Sequence, residues 1–226
     1  MKRLFPVFLI LALMSGSVYA DDLQEGIDAY ENQDNETARE KFLLLAEKGN
    51  AVAQYYLGST YIVQPTKAIK WLTRSANQGY AKAMVRLAWH HKMDNCEGAL
   101  KWINLAVEQD SGDAYDEFGV WHMHGECVPQ NYQEAIRLYH LAAEKGSNNA
   151  QGNLGQSYFM GTAVPQDYVL AHMWFNIANT TVRKKDSLAP NYVELRRKVQ
   201  ELMTPSQIEK AQEMARRWVD KYGNEQ

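Results

Sequence analysis

Residues 150–178 read AQGNLGQSYFMGTAVPQDYVLAHMWFNIA. Ala150, Leu154 and Tyr158 recur every four places, with Gly155 beside the leucine. Residues four apart are neighbours on one helical face, so this half predicts a helix with a small-and-large stripe. Gly161-Thr162-Ala163-Val164-Pro165-Gln166-Asp167-Tyr168 then predicts a turn, because glycine and proline punctuate helical patterns. Ala171, Trp174 and Ala178 resume a helical period. The stretch therefore reads as helix, turn, helix, and it has no alternation of the kind that marks a strand.

The same pattern spreads outward through the chain. Ala38, Ala68, Ala99, Ala135 and Ala171 are each followed three or four places on by a large residue: Phe42, Trp71, Trp102, Leu138 with Tyr139, and Trp174. Ala46, Ala76, Ala106, Ala143 and Ala178 follow about eight places on. Gly49, Gly79 and Gly146 then end three of the copies, and Gly112 arrives slightly late in another. A second ladder lies between these, made of Leu57-Gly58, Leu87-Ala88, Phe118-Gly119 and Leu154-Gly155. Ala53, Ala83, Ala114 and Ala150 precede those pairs; Tyr61, His91, His122 and Tyr158 follow them. The small members let helices approach closely and the large members fill the space between them. A repeat of 30–36 residues in helical periodicity predicts a stacked array whose units do not fold alone. The long turn of 161–168 has a counterpart at Gly125–Tyr132, while the turns near Gln64-Pro65 and Asp94-Asn95 are shorter.

Ala-x-x-x-Leu-Gly-x-x-x-Tyr, Gly-x-x-Val-Pro-Gln-Asp-Tyr and Ala-x-x-Trp together resemble the Sel-one-like repeat, a relative of the tetratricopeptide repeat. That resemblance implies an all-α, right-handed α-solenoid. The expected repeats are 22–49, 50–79, 80–111, 112–147 and 148–180, within one domain over 21–226. Capping helices are expected over 186–222, where Leu195, Val199 and Leu202 keep helical spacing. Thr204-Pro205-Ser206-Gln207 predicts a capping box ahead of an apolar stripe through Ile208, Ala211, Ala215, Trp218, Val219 and Tyr222. Arg196, Arg197, Lys198, Arg216 and Arg217 are expected on a solvated outer face.

Composition sets the broad class. The chain has 226 residues, 46% of them apolar, which excludes wholesale disorder. A net charge of −3 gives no electrostatic reason to expect a nucleic-acid partner. Lys2 and Arg3, the apolar stretch Leu4–Met14 and the triplet Val18-Tyr19-Ala20 predict a signal peptide over 1–20, cleaved before Asp21. The apolar run is too short to span a bilayer. Export to the periplasm or to the medium is the expectation.

Chemistry has few candidates. Cys96 and Cys127 lie in corresponding turns of neighbouring repeats, and an exported pair is expected to be bridged. The rival is a zinc or copper site built on His124 and Cys127, although His122 and His124 point to different faces of one helix. His91 and His122 sit on the packing ladder and are expected in the core. Serine β-lactamase, metalloprotease, hydrolase and phosphate-loop motifs are all absent, so no catalytic or cofactor-binding residue is expected. Cysteine-rich members of the family have been linked to β-lactam hydrolysis, but they carry a cysteine pair in nearly every repeat and this chain has two cysteines in all.

Carried over from tetratricopeptide-like arrays, the partner-facing positions are Tyr55, Ser59, Ile62 and Val63; then Val85, Trp89, Lys92 and Met93; then Asp116, Val120, Met123 and His124; and then Gly152, Gln156, Phe159 and Met160. Trp89 and Lys92 are the expected exposed anchors. The resemblance implies an exported scaffold or adaptor that binds a protein or peptide of the cell envelope through this concave face. A wall-active enzyme and a secreted factor acting on host cells are the alternatives.

Overall fold

A computed structural model describes residues 20–181 and 191–223. The expected signal peptide, apart from Ala20, and the first residues of the expected cap lie outside the described residues. The chain is all-α, an α-solenoid of helix hairpins, with no strand among the described residues. The helices are α1 (20–31), α2 (Asn35–Glu47), α3 (Ala51–Thr60), α4 (Pro65–Ala76), α5 (Ala81–His91), α6 (Cys96–Glu108), α7 (Gly112–His124), α8 (Tyr132–Glu144), α9 (Asn148–Met160), α10 (Tyr168–Thr181), α11 (Tyr192–Gln200) and α12 (Pro205–Tyr222). They fall into two compact units, which divide between His90 and His91.

Local chemistry places the helix starts. Asp34, Asn50, Asn95, Ser111, Asn131, Ser147 and Asn191 each accept a hydrogen bond from a backbone N–H three residues on. Such caps satisfy a donor that the first turn leaves without an intrahelical partner. Thr204 and Gln207 form the expected capping box, with Pro205 at the first helical position.

The first unit buries Phe42, Leu45 and Leu57 with the ladder alanines Ala38, Ala46 and Ala53 in one core. Gly58 explains how closely its hairpin closes: a Cβ there would stand 2.9 Å from Leu72. Buried Gln54 donates from Nε2 to the Ala46 carbonyl at 2.9 Å and so ties the start of one hairpin to the end of the preceding helix.

The second unit repeats these devices. Gly119 lies under the Tyr139 ring and Gly155 under Phe175, each leaving less than 3 Å for an added Cβ. Gln151 reaches the Ala143 carbonyl as Gln54 reaches Ala46. Trp174 meets Trp218 at 5.5 Å, which seats α12 on α10. The long turns are built alike. Gly125 and Gly161 take the left-handed conformation (φ 74° and 70°), a region that costs glycine nothing. Gln130 and Gln166 then fold back, donating to the carbonyls of Met123 and Phe159 at 2.9 and 2.8 Å.

Three expectations need correction. The turn position filled by Gly49, Gly79 and Gly146 is held in the third copy by Asp110, at φ 58°, while Gly112 begins α7 and leaves room for Lys145. Leu202 lies beyond the end of α11 and is exposed, because the helix stops at Gln200. Arg196 is not on a bare outer face: it donates to Asn176 Oδ1 at 2.7 Å, across to α10.

Candidate functional site

In the first unit, Tyr55 is half-buried between the rings of Tyr56 and Tyr80, 5.1 and 5.3 Å away. Ser59 bonds back to the Tyr55 carbonyl at 2.9 Å, so its hydroxyl is already engaged. Ile62 and Val63 stand out into solvent, Val63 85% exposed, and Trp89 is exposed as expected. Val85 is half-buried.

In the second unit, Lys92 departs from expectation. Its side chain is only 15% exposed, held by Glu126 at 2.7 Å and Glu117 at 3.7 Å. Both acids lie far along the chain, and they turn a residue of exposed character into an internal tie. Met93 beside it is 84% exposed. The same corner holds the cysteines. Cys96, in the first turn of α6, and Cys127, in the loop after α7, are joined by a disulfide with Cα atoms 5.1 Å apart. A bonded Cys127 has no thiolate to offer a metal. His122 is half-buried with its ring 4.7 Å from that of Phe118.

The helical faces of α7 and α9 converge on a depression of about 250 Å³, lined by Met123, His124, Tyr139, Asn153, Gln156, Ser157, Met160 and Thr162. It thus brings together four residues that the repeat pattern selects: Met123, His124, Gln156 and Met160. The other two partner-facing positions of α9 are taken by the chain itself. An added Cβ on Gly152 would overlap the Tyr192 ring of α11, and Phe159 packs against Tyr168 of α10 and the core around Phe175. α11 covers the first of these positions, which the repeat alone does not foresee.

Asp116 is half-buried on the same face of α7 as Met123. Burial is the main force on its carboxyl, helped by the negative charges of Glu117 and Asp113, and pushes its pKa up to about 7 against the hydrogen bond from Asn153. That bond, from Asn153 Nδ2 to Asp116 Oδ1, is 3.1 Å long. The pKa of Tyr139, at the floor, is likewise raised, first by burial and then by Asp116 and Glu117. Sequence reasoning selects neither Tyr139 nor Asn153, because both lie off the carried-over positions.

The Sel1 repeat family model matches residues 51–80, 113–147 and 148–179. One similar solved structure is c5321, a protective antigen present in uropathogenic Escherichia coli strains and displaying an SLR fold. It is 30% identical, with a TM-score of 0.67, over 84% of this chain and 42% of that one. This chain therefore spans about two fifths of that protein's length. A Sel1 repeat protein from Oxalobacter formigenes is 22% identical, with a TM-score of 0.63, over 92% of this chain and 88% of that one. No curated protein matches. The Sel1 repeat fold is typical of protein–protein interaction scaffolds and is generally non-enzymatic. Among the described residues no helix is long and apolar enough to cross a membrane.

Proposed function

We propose that this chain, which carries three Sel1 repeats, is an exported scaffold that holds a protein or peptide segment against the depression between α7 and α9. The observation that carries this reading is the convergence of Met123, His124, Gln156 and Met160 on one open hollow. Methionine adapts its shape to a partner, and a concave site of mixed apolar and polar lining suits a side chain of a bound segment. Ile62, Val63, Trp89 and Met93 add exposed apolar contacts elsewhere in the chain. The mechanism is presentation of a preformed surface and makes no covalent bond. Export rests on the basic start, the apolar stretch and the Val18-Tyr19-Ala20 triplet, and the disulfide suits an oxidising compartment. The periplasm is the proposed home.

The test places a photo-crosslinking residue at Gln156, in the hollow, and at Gln212, exposed on α12, in the cell that makes the protein. A discrete protein adduct at Gln156 and none at Gln212 is the expected result. Adducts at both sites or at neither refute the assignment. Recovery of the protein in the cytoplasmic fraction refutes export.

A further inference from the structure

The charges of the first unit are sorted by position. No Asp or Glu occurs from 48 to 93, in a chain that has 27 of them. The unit's acids stand earlier, on α1 and α2, among them Asp22, Glu25, Asp28, Glu36 and Glu40. α3 contains no charged residue, and α4 and α5 contain cations only. On α5 the sorting makes a face. Lys82, Val85, Arg86 and Trp89 are spaced so that all four share one side of the helix. Lys82 and Arg86 are exposed and form no ion pair among the described residues. Trp89 is 53% exposed, and Val85 is half-buried beside it. Other helices treat exposed arginines differently. Arg137, Arg197 and Arg217 each pair with a glutamate three or four residues earlier: Glu134, Glu194 and Glu213. The matching positions before Arg86 are Ala83 and Lys82. Two like charges four residues apart weaken a helix, so folding alone does not account for this face.

We propose that this face of α5 docks an acidic segment of a partner protein, with two carboxylates on Lys82 and Arg86 and an apolar side chain lying on Trp89. Charge complementarity names the partner, and spacing gives its pattern. The two cations are roughly 6 Å apart along the helix axis. Alternate side chains of an extended segment share a side at roughly 7 Å. An acid–x–acid–x–apolar sequence therefore keeps step with Lys82, Arg86 and Trp89. Tryptophan is a frequent interface anchor, and arginine takes a carboxylate through two parallel bonds. Two cations match a pair of carboxylates; lipid-binding clusters use roughly four to eight. The surface lies in the first unit and does not depend on the hollow between α7 and α9.

The probes are acetyl-Gly-Glu-Ser-Glu-Ser-Leu-Gly-amide, its glutamine counterpart, and acetyl-Gly-Glu-Glu-Ser-Ser-Leu-Gly-amide, whose acids fall on opposite sides of an extended chain. Each is titrated into the whole protein while the Trp89 indole N–H resonance is followed. The first peptide is expected to shift it saturably, about three- to tenfold more tightly than the other two, with the advantage shrinking as salt rises. Lys82→Gln with Arg86→Gln is expected to abolish the preference. Lys67→Gln with Lys70→Gln removes the same charge from the exposed face of α4 and is expected to leave it intact. Lys82→Glu with Arg86→Glu is expected to reject the glutamate peptide and bind its lysine counterpart, which also shows that this variant folds. Equal binding of the three peptides, equal losses in the α4 and α5 variants, a charge reversal that does not invert the preference, or no saturable shift overturns the proposal. If the peptides fail while phosphatidylglycerol vesicles bind wild type and not the reversed variant, the face meets lipid and the acidic-segment reading falls.

Discussion

Asp116→Asn should make the second unit more stable, and only above acidic pH. The wild-type carboxyl is raised from 3.8 to about 7 in the folded protein. A folded pKa above the unfolded value means that the native state holds a proton the unfolded state has lost. The stabilising contribution of that proton is complete below the unfolded pKa and is lost as pH rises through the folded one. Each tenfold change in proton affinity is worth about 1.4 kcal/mol, so the loss approaches roughly 4 kcal/mol by about pH 8. Because Asp116 is half-buried and water reaches part of it, roughly 2–4 kcal/mol is the expected range. The substituted side chain keeps a carbonyl oxygen for the Asn153 amide and never ionises. Urea denaturation of both forms at about pH 4, 6 and 8 measures the difference, with hydrogen exchange of the α7–α9 amides assigning it to this unit. The variant should match wild type near pH 4 and exceed it increasingly to pH 8. A difference independent of pH, or a less stable variant at pH 8, would show that Asp116 is not held in the environment described.

Other consequences can be checked with the same methods. Replacing Cys96 and Cys127 by serine opens a bridge across 31 residues and should remove about 3–4 kcal/mol, read as a lower melting temperature that reductant no longer changes. Ala163→Gly relieves a left-handed alanine (φ 72°) and should raise stability by about 1 kcal/mol; a lower melting temperature would contradict the strain argument. Asp110→Gly should gain less, since Asp110 also binds Lys145 and Tyr115. His172 is buried, and burial with the nearby Arg196 charge holds its pKa below the ordinary value. Its stabilising contribution is therefore complete above about pH 6.5 and is lost as pH falls through the lowered value. His172→Leu should flatten that acid limb, and an identical acid limb in both forms would show that other groups set it.

Much of the fold is legible in the sequence because it depends on neighbours three and four residues apart. The Leu-Gly and Phe-Gly pairs of the ladder mark where Leu72, Tyr139 and Phe175 must sit, and Asn, Ser or Asp stands where most helices begin. What is not legible depends on distant partners. Lys92 reads as an exposed anchor, yet Glu117 and Glu126 draw it inward. Gly152 and Phe159 read as partner-facing, yet Tyr192 arrives from α11 to fill the space beside Gly152, and Phe159 packs against Tyr168 of α10. Asp116 stands at a selected position, but its raised pKa depends on packing that no local pattern encodes.

The turns at 125–131 and 161–167 have one more consequence. Gln130 bonds to its own helix through Met123 and Gln166 through Phe159, while Asn131 and Asp167 cap the helix that follows each turn. These four side chains all find their partners within their own hairpin. Such a seam behaves as a self-contained joint: a whole hairpin copied in or deleted at the turn leaves no orphaned carbonyl behind. Array length can then drift by duplication, provided that a new copy matches the apolar ladder and the cross-hairpin tie that Gln151 makes to the Ala143 carbonyl.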